Sequence, residues 1–195
     1  MITGDIKKAA KVVMEGGVIV YPTETVYGLG ADALSKKAVK RVYEIKKRSL
    51  DQPISVAVCS YEMIERIAEV ESWDLIKKFL PGPVTVLLKK ESIVPDILTA
   101  GLDMVGIRFP NNSVACNIID ICGPITSTSA NISGKEPPVR LEEVDIKADL
   151  TVDGGDCNYC VSSTIVDLVN KKVVRVGALY DEVILELDKK SKGDL

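Results

Sequence analysis

The chain has 195 residues, of which 46% are hydrophobic, so it can bury a full core and is expected to form one domain. Its net charge of −3 excludes a molecule whose whole surface binds polyanions, and the absence of histidine excludes catalysis by a Ser-His or Cys-His pair. Five cysteines, an odd number, favour a reducing compartment over a disulfide scaffold. With no membrane-length apolar run and no signal peptide, the chain is interpreted as cytoplasmic.

The predicted elements alternate between helices and short strands. Residues expected to cap helices are Asp5, Ser35, Ser60 and Ser72, and a further helix is predicted from Asn112 to Cys122. Short hydrophobic runs predict strands at 18–20, 54–58, 84–88, 104–109, 124–127, 150–152, 163–168 and 172–176. An apolar stripe between 179 and 187 predicts a final helix, followed by a frayed tail at 189–195. The sequence therefore predicts a single α/β domain over residues 1–195, with its core at about 5–187 and helices covering a sheet.

The stretch VIVYPTETVYGLGADA, residues 18–33, is the most informative part of the chain. Its β-branched start predicts a buried strand, and Pro22 ends that strand. The polar residues at 23–27 then follow the strand's carboxyl end, where open α/β sheets bind ligands, and the loop is expected to end in Gly28 and Gly30. An ordinary turn is the alternative from this pattern alone.

Cationic residues mark three further candidate positions. Lys46 and Arg48 lie in KKRSLDQP at a helix C-terminus, where they could bind phosphate or simply cap the helix. Arg108 interrupts the apolar strand GIRFP, which indicates either a bound anion or a solvated face of the strand. Arg175 stands in a similar position in VRVG.

Two hydroxyl-rich segments, TSTSANISG at 126–134 and VSSTIVD at 161–167, could cradle an anion or a nucleobase, although serine-rich loops are more often turns. Cys157 and Cys160 form a C-x-x-C, for which free thiols are favoured over a structural zinc site. The neighbouring Asp153–Asp156 segment lacks the ligand number of a calcium loop and is interpreted as a turn.

The ordered set YPTETVYGLGADA, K-x-R before a proline-bounded strand, PGPVTVLL, GIRFP, TSANISG, SSTIVD and RVG resembles the YrdC family of threonylcarbamoyl-AMP synthases. The resemblance runs from about Asp5 to Gly177, and the chain looks like the stand-alone, single-domain form. It implies a twisted mixed β-sheet covered by helices around an open basic cavity.

The resemblance also implies two sets of site residues. For L-threonine they are Thr25, Tyr27, Arg108, Ser127, Thr128 and Ser163, with Arg108 on the carboxylate. For ATP they are Lys46, Arg48, Ser129, Asn131 and Arg175, with Gln52 and the backbone near Met104 as weaker candidates. Lys46 and Arg48 are the implied catalytic pair.

The implied reaction condenses L-threonine, bicarbonate and ATP into threonylcarbamoyl-adenylate and pyrophosphate, and a separate transferase then modifies tRNA. Such a nucleotidyltransferase needs no histidine if threonine's carbamate is itself the nucleophile, because lysine, arginine and the Mg²⁺ that accompanies ATP suffice to stabilise the phosphate charge. No tightly bound metal and no membrane partner are expected, and tRNA binding is expected to be weak or absent.

Two alternatives stay open at this point. The first is a non-catalytic tRNA- or double-stranded-RNA-binding or ribosome-maturation module on the same fold, disfavoured by the acidic net charge and by 5% aromatic content. The second is carbamoyl transfer to another acceptor.

Overall fold

A computed structural model describes residues 2–193, and its strands form one mixed sheet. The strands are β1 Ile2–Thr3, β2 Ile19–Tyr21, β3 Gly28–Gly30, β4 Ser55–Ala57, β5 Val84–Lys89, β6 Met104–Arg108, β7 Ile125–Ser129, β8 Leu150–Val152, β9 Thr164–Asp167 and β10 Lys172–Arg175. Their order in the described sheet is β1-β8-β2-β3-β7-β4-β6-β5-β9-β10. Parallel pairs such as β4/β6 and β5/β9 alternate with antiparallel pairs such as β4/β7 and β5/β6, so the predicted mixed sheet is confirmed.

The helices cover this sheet. They are α1 Ile6–Met14, α2 Lys36–Lys46, α3 Tyr61–Ile67, α4 Asp74–Phe79, α5 Asp96–Thr99, α6 Ser113–Cys122 and α7 Tyr180–Gly193, with a short 3₁₀ turn at Leu141–Glu143. Helix α7 thus includes part of the tail predicted to fray, while residues 194–195 lie outside the described residues. Within 2–193 no helix has the length and apolar character needed to cross a membrane.

Three of the four predicted caps are confirmed by a side-chain hydrogen bond, and Asn112, predicted as the first residue of its helix, is also a cap. Asp5, Ser35, Ser60 and Asn112 each accept from the backbone N–H three residues later, which satisfies a donor that the first helical turn leaves free. The expectation for Ser72 was wrong by one residue. Trp73 is the N-cap of α4, and the Ser72 hydroxyl accepts a longer 3.4 Å bond from the Asp74 N–H.

Two hydrophobic clusters lie on opposite faces of the sheet. Successive side chains of β2 point to opposite faces and so enter different clusters. Val20 belongs to the cluster that packs under α2, α3, α4 and α7. Ile19 and Tyr21 belong to the cluster under α1 and α6. The same alternation along β5 places Val84 and Val86 in the first cluster, so Thr85 between them points to the opposite face.

The Gly28–Gly30 segment is a strand, not the end of a loop as expected from its glycines. It pairs with β2 in an antiparallel hairpin, and the Tyr21 ring lies directly against it. A Cβ at Gly28 or Gly30 would lie 2.8 or 2.9 Å from Tyr21 Cε1, so these glycines permit the close approach of the ring. Residues 22–27, which include Thr23, Glu24 and Thr25, therefore form the tip of the β2–β3 hairpin.

Candidate active site

An open cavity of about 150 Å³ lies beside this hairpin tip, over the ends of β4, β5, β6, β7 and β9. Three arginines line it: Arg48, Arg108 and Arg175. The serine and threonine residues in the lining are Thr23, Thr25, Ser55, Thr85, Ser127, Thr128, Ser129, Ser162 and Ser163. No Asp or Glu of the described chain is among the lining residues, so the cavity is cationic and rich in hydroxyl groups.

Arg108 is the most deeply buried of the three arginines, with a side chain only 3% exposed. Its Nη2 donates to Glu24 Oε1 at 2.8 Å, and a longer 3.4 Å bond reaches Thr25 Oγ1. Burial lowers the pKa of Arg108, and the Glu24 carboxylate opposes that shift by favouring the charged form. The solvated-face alternative for Arg108 is therefore excluded, because the guanidinium is buried and paired.

Arg48 follows the left-handed residue Lys47, which ends α2 with φ of 50° and turns the chain back toward the sheet. Its guanidinium donates to the backbone carbonyls of Gln52 (3.1 Å) and Pro53 (3.0 Å). Desolvation lowers the pKa of Arg48, which Tyr43 and Asp51 partly oppose. Carbonyl oxygens fix this guanidinium without neutralising it, so its charge stays available to an anion.

Arg175 reaches the cavity from the edge strand β10. Its Nη2 donates to the Ser163 carbonyl at 2.8 Å and to Ser163 Oγ at 3.1 Å. Ser163 Oγ also shares a 2.8 Å hydrogen bond with Thr85 Oγ1, which connects β10 through β9 to β5. Partial burial of its guanidinium, followed by repulsion from Arg48 and Arg108, lowers the pKa of Arg175.

Lys46 lies directly behind the cavity wall. Its side chain is 1% exposed, and Nζ donates to the backbone carbonyls of Ser129 and, at 2.8 Å, Asn131. Burial, together with the nearby charge of Arg48, lowers the pKa of Lys46 from 10.5 to about 8. The Ser133 N–H also donates to the Lys46 carbonyl at 2.9 Å, so the end of α2 is fastened to the loop after β7.

Four more of the sequence-predicted residues lie outside the lining. Tyr27 is buried and its hydroxyl donates to the Gly155 carbonyl at 2.8 Å, while Asn131 Nδ2 donates to the Lys135 carbonyl at 2.7 Å. Gln52 is exposed and contributes its carbonyl to Arg48. Met104 lies at the end of β6 opposite to Arg108.

The structure adds residues to the site that the sequence pattern did not single out. Glu24 pairs with Arg108, and Thr85 and Ser55 line the cavity from β5 and β4. A buried arginine requires a carboxylate partner, which could have directed attention to Glu24 in the same loop as Thr25. The five cysteines, including the C-x-x-C pair Cys157 and Cys160, are free thiols.

The Sua5/YciO/YrdC family model, described as "telomere recombination", matches residues 11–177. The chain belongs to this family. The segment covered contains every residue that lines the cavity.

Curated relatives agree with this assignment. The threonylcarbamoyl-AMP synthase of Pyrococcus abyssi is 42% identical over 171 residues, which cover 84% of this chain and 50% of the relative. A putative threonylcarbamoyl-AMP synthase of Methanocaldococcus jannaschii is 39% identical over 85% of this chain and 81% of its own length. The chain therefore spans about half the length of the first relative and most of the second.

Solved structures give the same result at the level of the fold. P. abyssi Sua5 complexed with L-threonine matches with a TM-score of 0.89 at 39% identity, over 93% of this chain and 56% of that one. Escherichia coli YciO matches with a TM-score of 0.77 at 29% identity, over 89% of each chain. These matches confirm the predicted α/β fold.

Proposed function

We propose that the protein is a threonylcarbamoyl-AMP synthase, which joins L-threonine, bicarbonate and ATP into threonylcarbamoyl-adenylate and releases pyrophosphate. The observation that carries the proposal is that three arginines and nine Ser/Thr residues line one and the same cavity. The likeness to a Sua5 that binds L-threonine, and to relatives named for this activity, supports it.

At one end of the cavity, Arg108 would bind the threonine carboxylate, since a guanidinium recognises a carboxylate through paired N–H donors. Thr25 lies 3.4 Å from Arg108 Nη2, and Ser127, Thr128 and Ser163 contribute further lining for the substrate's amino and hydroxyl groups.

At the other end, Arg48 and Arg175 would bind the ATP phosphates. Within the described residues both are held by carbonyl or hydroxyl oxygens and neither forms an ion pair, so both can stabilise the charge that develops at the α-phosphate. Ser129 lines this wall, while Lys46 and Asn131 would support it from behind through the loop after β7. Gln52 would act through its carbonyl on Arg48, whereas Met104 is not among the described residues that line the cavity.

We expect Mg²⁺ to enter with ATP as part of the substrate. The lining residues include no carboxylate, the ligand that Mg²⁺ usually takes from proteins, so the phosphates themselves would hold the ion. Bicarbonate would react with the threonine amine, and the resulting carbamate would be the nucleophile. The product would pass to a separate tRNA transferase. A cytoplasmic location and weak or absent tRNA binding stay predictions.

Pyrophosphate release from ATP tests the proposal, with threonine and bicarbonate omitted in turn. The wild type should require both co-substrates. Arg48→Ala should lose about 10²–10³ in rate, the usual effect of removing one donor to a transition-state charge. Arg66→Ala, which changes an exposed arginine on α3, is the matched control and should keep full activity.

Three other outcomes would redirect the proposal. Turnover of ATP that is indifferent to threonine would indicate carbamoyl transfer to a different acceptor. Turnover that Arg48→Ala leaves unchanged would remove Arg48 from the phosphate site. Folded protein without turnover, but with tight and steeply salt-dependent tRNA binding, would favour the RNA-binding module.

A further inference from the structure

The three arginines of the cavity differ in how their charge is balanced. Arg108 forms an ion pair with Glu24 at 2.8 Å, with side-chain exposures of 3% and 6%. Arg48 and Arg175 contact only carbonyl and hydroxyl oxygens in the described part of the chain. The Arg108 end of the cavity is therefore close to electrically neutral, whereas Arg48 and Arg175 carry positive charges with no ion-pair partner among the described residues.

Glu24 is held firmly enough to define this difference. Its Oε1 accepts from Arg108 Nη2 and, at 3.0 Å, from the Asn111 N–H. Its backbone carbonyl accepts from the Tyr159 N–H at 2.9 Å. The hairpin tip, the segment after β6 and the 157–160 loop are thus joined at one residue. If the carboxylate turned away from Arg108, it would also lose the bond from the Asn111 N–H.

The second carboxylate oxygen, Glu24 Oε2, is buried and has no hydrogen-bond partner among the described residues. Arg108 is consequently engaged through one oxygen only, not through the bidentate arrangement that arginine and carboxylate usually prefer. The carboxylate neutralises Arg108 without occupying its whole guanidinium, which leaves donors for a ligand.

This charge balance distinguishes between ligand types. An amino acid is a zwitterion, so its carboxylate can bind Arg108 while its net charge stays near zero beside Glu24. A polyphosphate carries several negative charges, which Glu24 repels and which Arg48 and Arg175 attract. The two ends would select different substrates by charge.

We propose that Glu24 is a specificity-determining positioning residue, which orients Arg108 and cancels its charge so that this end of the cavity accepts an amino acid and rejects phosphate. The inference rests on the proposed function, because it assigns the two ends to threonine and ATP.

Two variants separate the charge of Glu24 from its geometry. Glu24→Gln keeps the size and an oxygen for the Asn111 N–H but removes the charge, whereas Glu24→Asp keeps the charge and withdraws it from Arg108. Asp149→Asn is the matched control, since Asp149 also accepts from an arginine (Arg41, 3.1 Å) and from a backbone N–H (Val18, 2.7 Å), but its arginine partner does not line the cavity.

Calorimetric titration with L-threonine and, separately, with inorganic pyrophosphate gives the expected pattern. Glu24→Gln should weaken threonine binding by about tenfold or more and tighten pyrophosphate binding severalfold, because the freed charge of Arg108 joins the other two. Glu24→Asp should weaken threonine binding while leaving pyrophosphate affinity close to wild type. Asp149→Asn should change neither affinity.

If Glu24 had a purely structural role, Glu24→Gln would lower the affinity for both ligands together, and that result would overturn the inference. The inference would also be overturned if Asp149→Asn changed the two affinities in the same way as Glu24→Gln. If wild type binds pyrophosphate but not threonine, the proposed function fails, and the pyrophosphate change in Glu24→Gln still decides the role of the charge.

Should Glu24→Gln not fold, Glu24→Asp still tests the inference, because it should lower threonine affinity and leave pyrophosphate affinity close to wild type. A salt titration of the wild type then compares how the two ligands respond to screening. Between about 50 and 500 mM salt, pyrophosphate affinity should fall steeply and threonine affinity should change little, since screening acts on net charge. Equal salt dependence for the two ligands would contradict the proposal.

Discussion

The two ends of the cavity hold their cations by different means. At the Arg108 end, the guanidinium is almost completely buried and a carboxylate is its main partner. At the Arg48–Arg175 end, two cations that are less buried than Arg108 contact carbonyl and hydroxyl oxygens, and the buried Lys46 behind them contacts carbonyl oxygens. Burial explains the difference among the arginines, because a buried guanidinium needs a counter-charge, whereas a partly solvated one needs only dipoles. Lys46 is buried with carbonyl partners alone, and the cost of burying its charge appears as a lowered pKa.

The comparison predicts that Arg108 matters far more to stability than an arginine at the surface. Arg108→Met would leave Glu24 as an uncompensated buried charge and should lower the free energy of unfolding by about 3–5 kcal/mol. Urea unfolding at neutral pH measures this change.

Arg41→Met is the control, since Arg41 pairs with Asp149 at 3.0 Å but both side chains are more than a third exposed. Arg41→Met should lower the free energy of unfolding by about 1 kcal/mol or less. Equal losses in the two variants would mean that burial does not distinguish the two kinds of pair.

The second prediction concerns Lys46, a cation held by carbonyls alone. Below pH 8, Lys46 is charged in both the folded and the unfolded chain, so the folded state carries the full cost of the buried charge. As the pH rises from about 8 toward 10.5, the folded chain releases this proton while the unfolded chain keeps it, and stability should increase.

Comparison with Lys46→Met isolates this contribution from the tyrosines and cysteines that titrate in the same range. The unfolding free energy of wild type minus that of the variant should rise by about 2 kcal/mol between neutral pH and pH ~10. A difference that stays flat or falls would show that the carbonyl oxygens stabilise the ammonium as well as a carboxylate would.

The smallest expected effect comes from the hydroxyl groups that support Arg175. Thr85→Val removes the 2.8 Å bond to Ser163 Oγ and should lower the free energy of unfolding by about 1 kcal/mol. Thr164→Val is the matched control in the neighbouring strand, because Thr164 Oγ1 is buried without a partner in the described chain. Removing the Thr164 hydroxyl should leave the free energy of unfolding unchanged or raise it slightly. Thermal unfolding of both variants measures the difference, and an equal cost at the two positions would argue against a supporting role for the Thr85 hydroxyl.

The elements of the fold follow from local sequence in most places. Asp5, Ser35 and Ser60 signal helix starts because capping depends on the next three residues, which the sequence displays directly. Strand β3 could not be predicted in this way. Its glycines are poor strand formers, and they are needed because the Tyr21 ring packs against them. That contact exists only after the hairpin has closed.

Prediction of the site from the sequence is limited in the same way, by contacts between distant residues. Arg48, Arg108 and Arg175 stand out in the sequence because cations in apolar or proline-bounded segments are unusual. Their partners do not stand out. Glu24 meets Arg108 across 84 positions, and Lys46 meets Asn131 across 85. Such pairings depend on strand order, which hydrophobic periodicity does not specify.

A crystal structure of the protein with L-threonine and a non-hydrolysable ATP analogue tests the unequal ends most directly. We predict that the threonine carboxylate lies on Arg108, still paired with Glu24, and that the phosphates lie on Arg48 and Arg175. Phosphate bound at Arg108, with Glu24 displaced from it, would contradict this account.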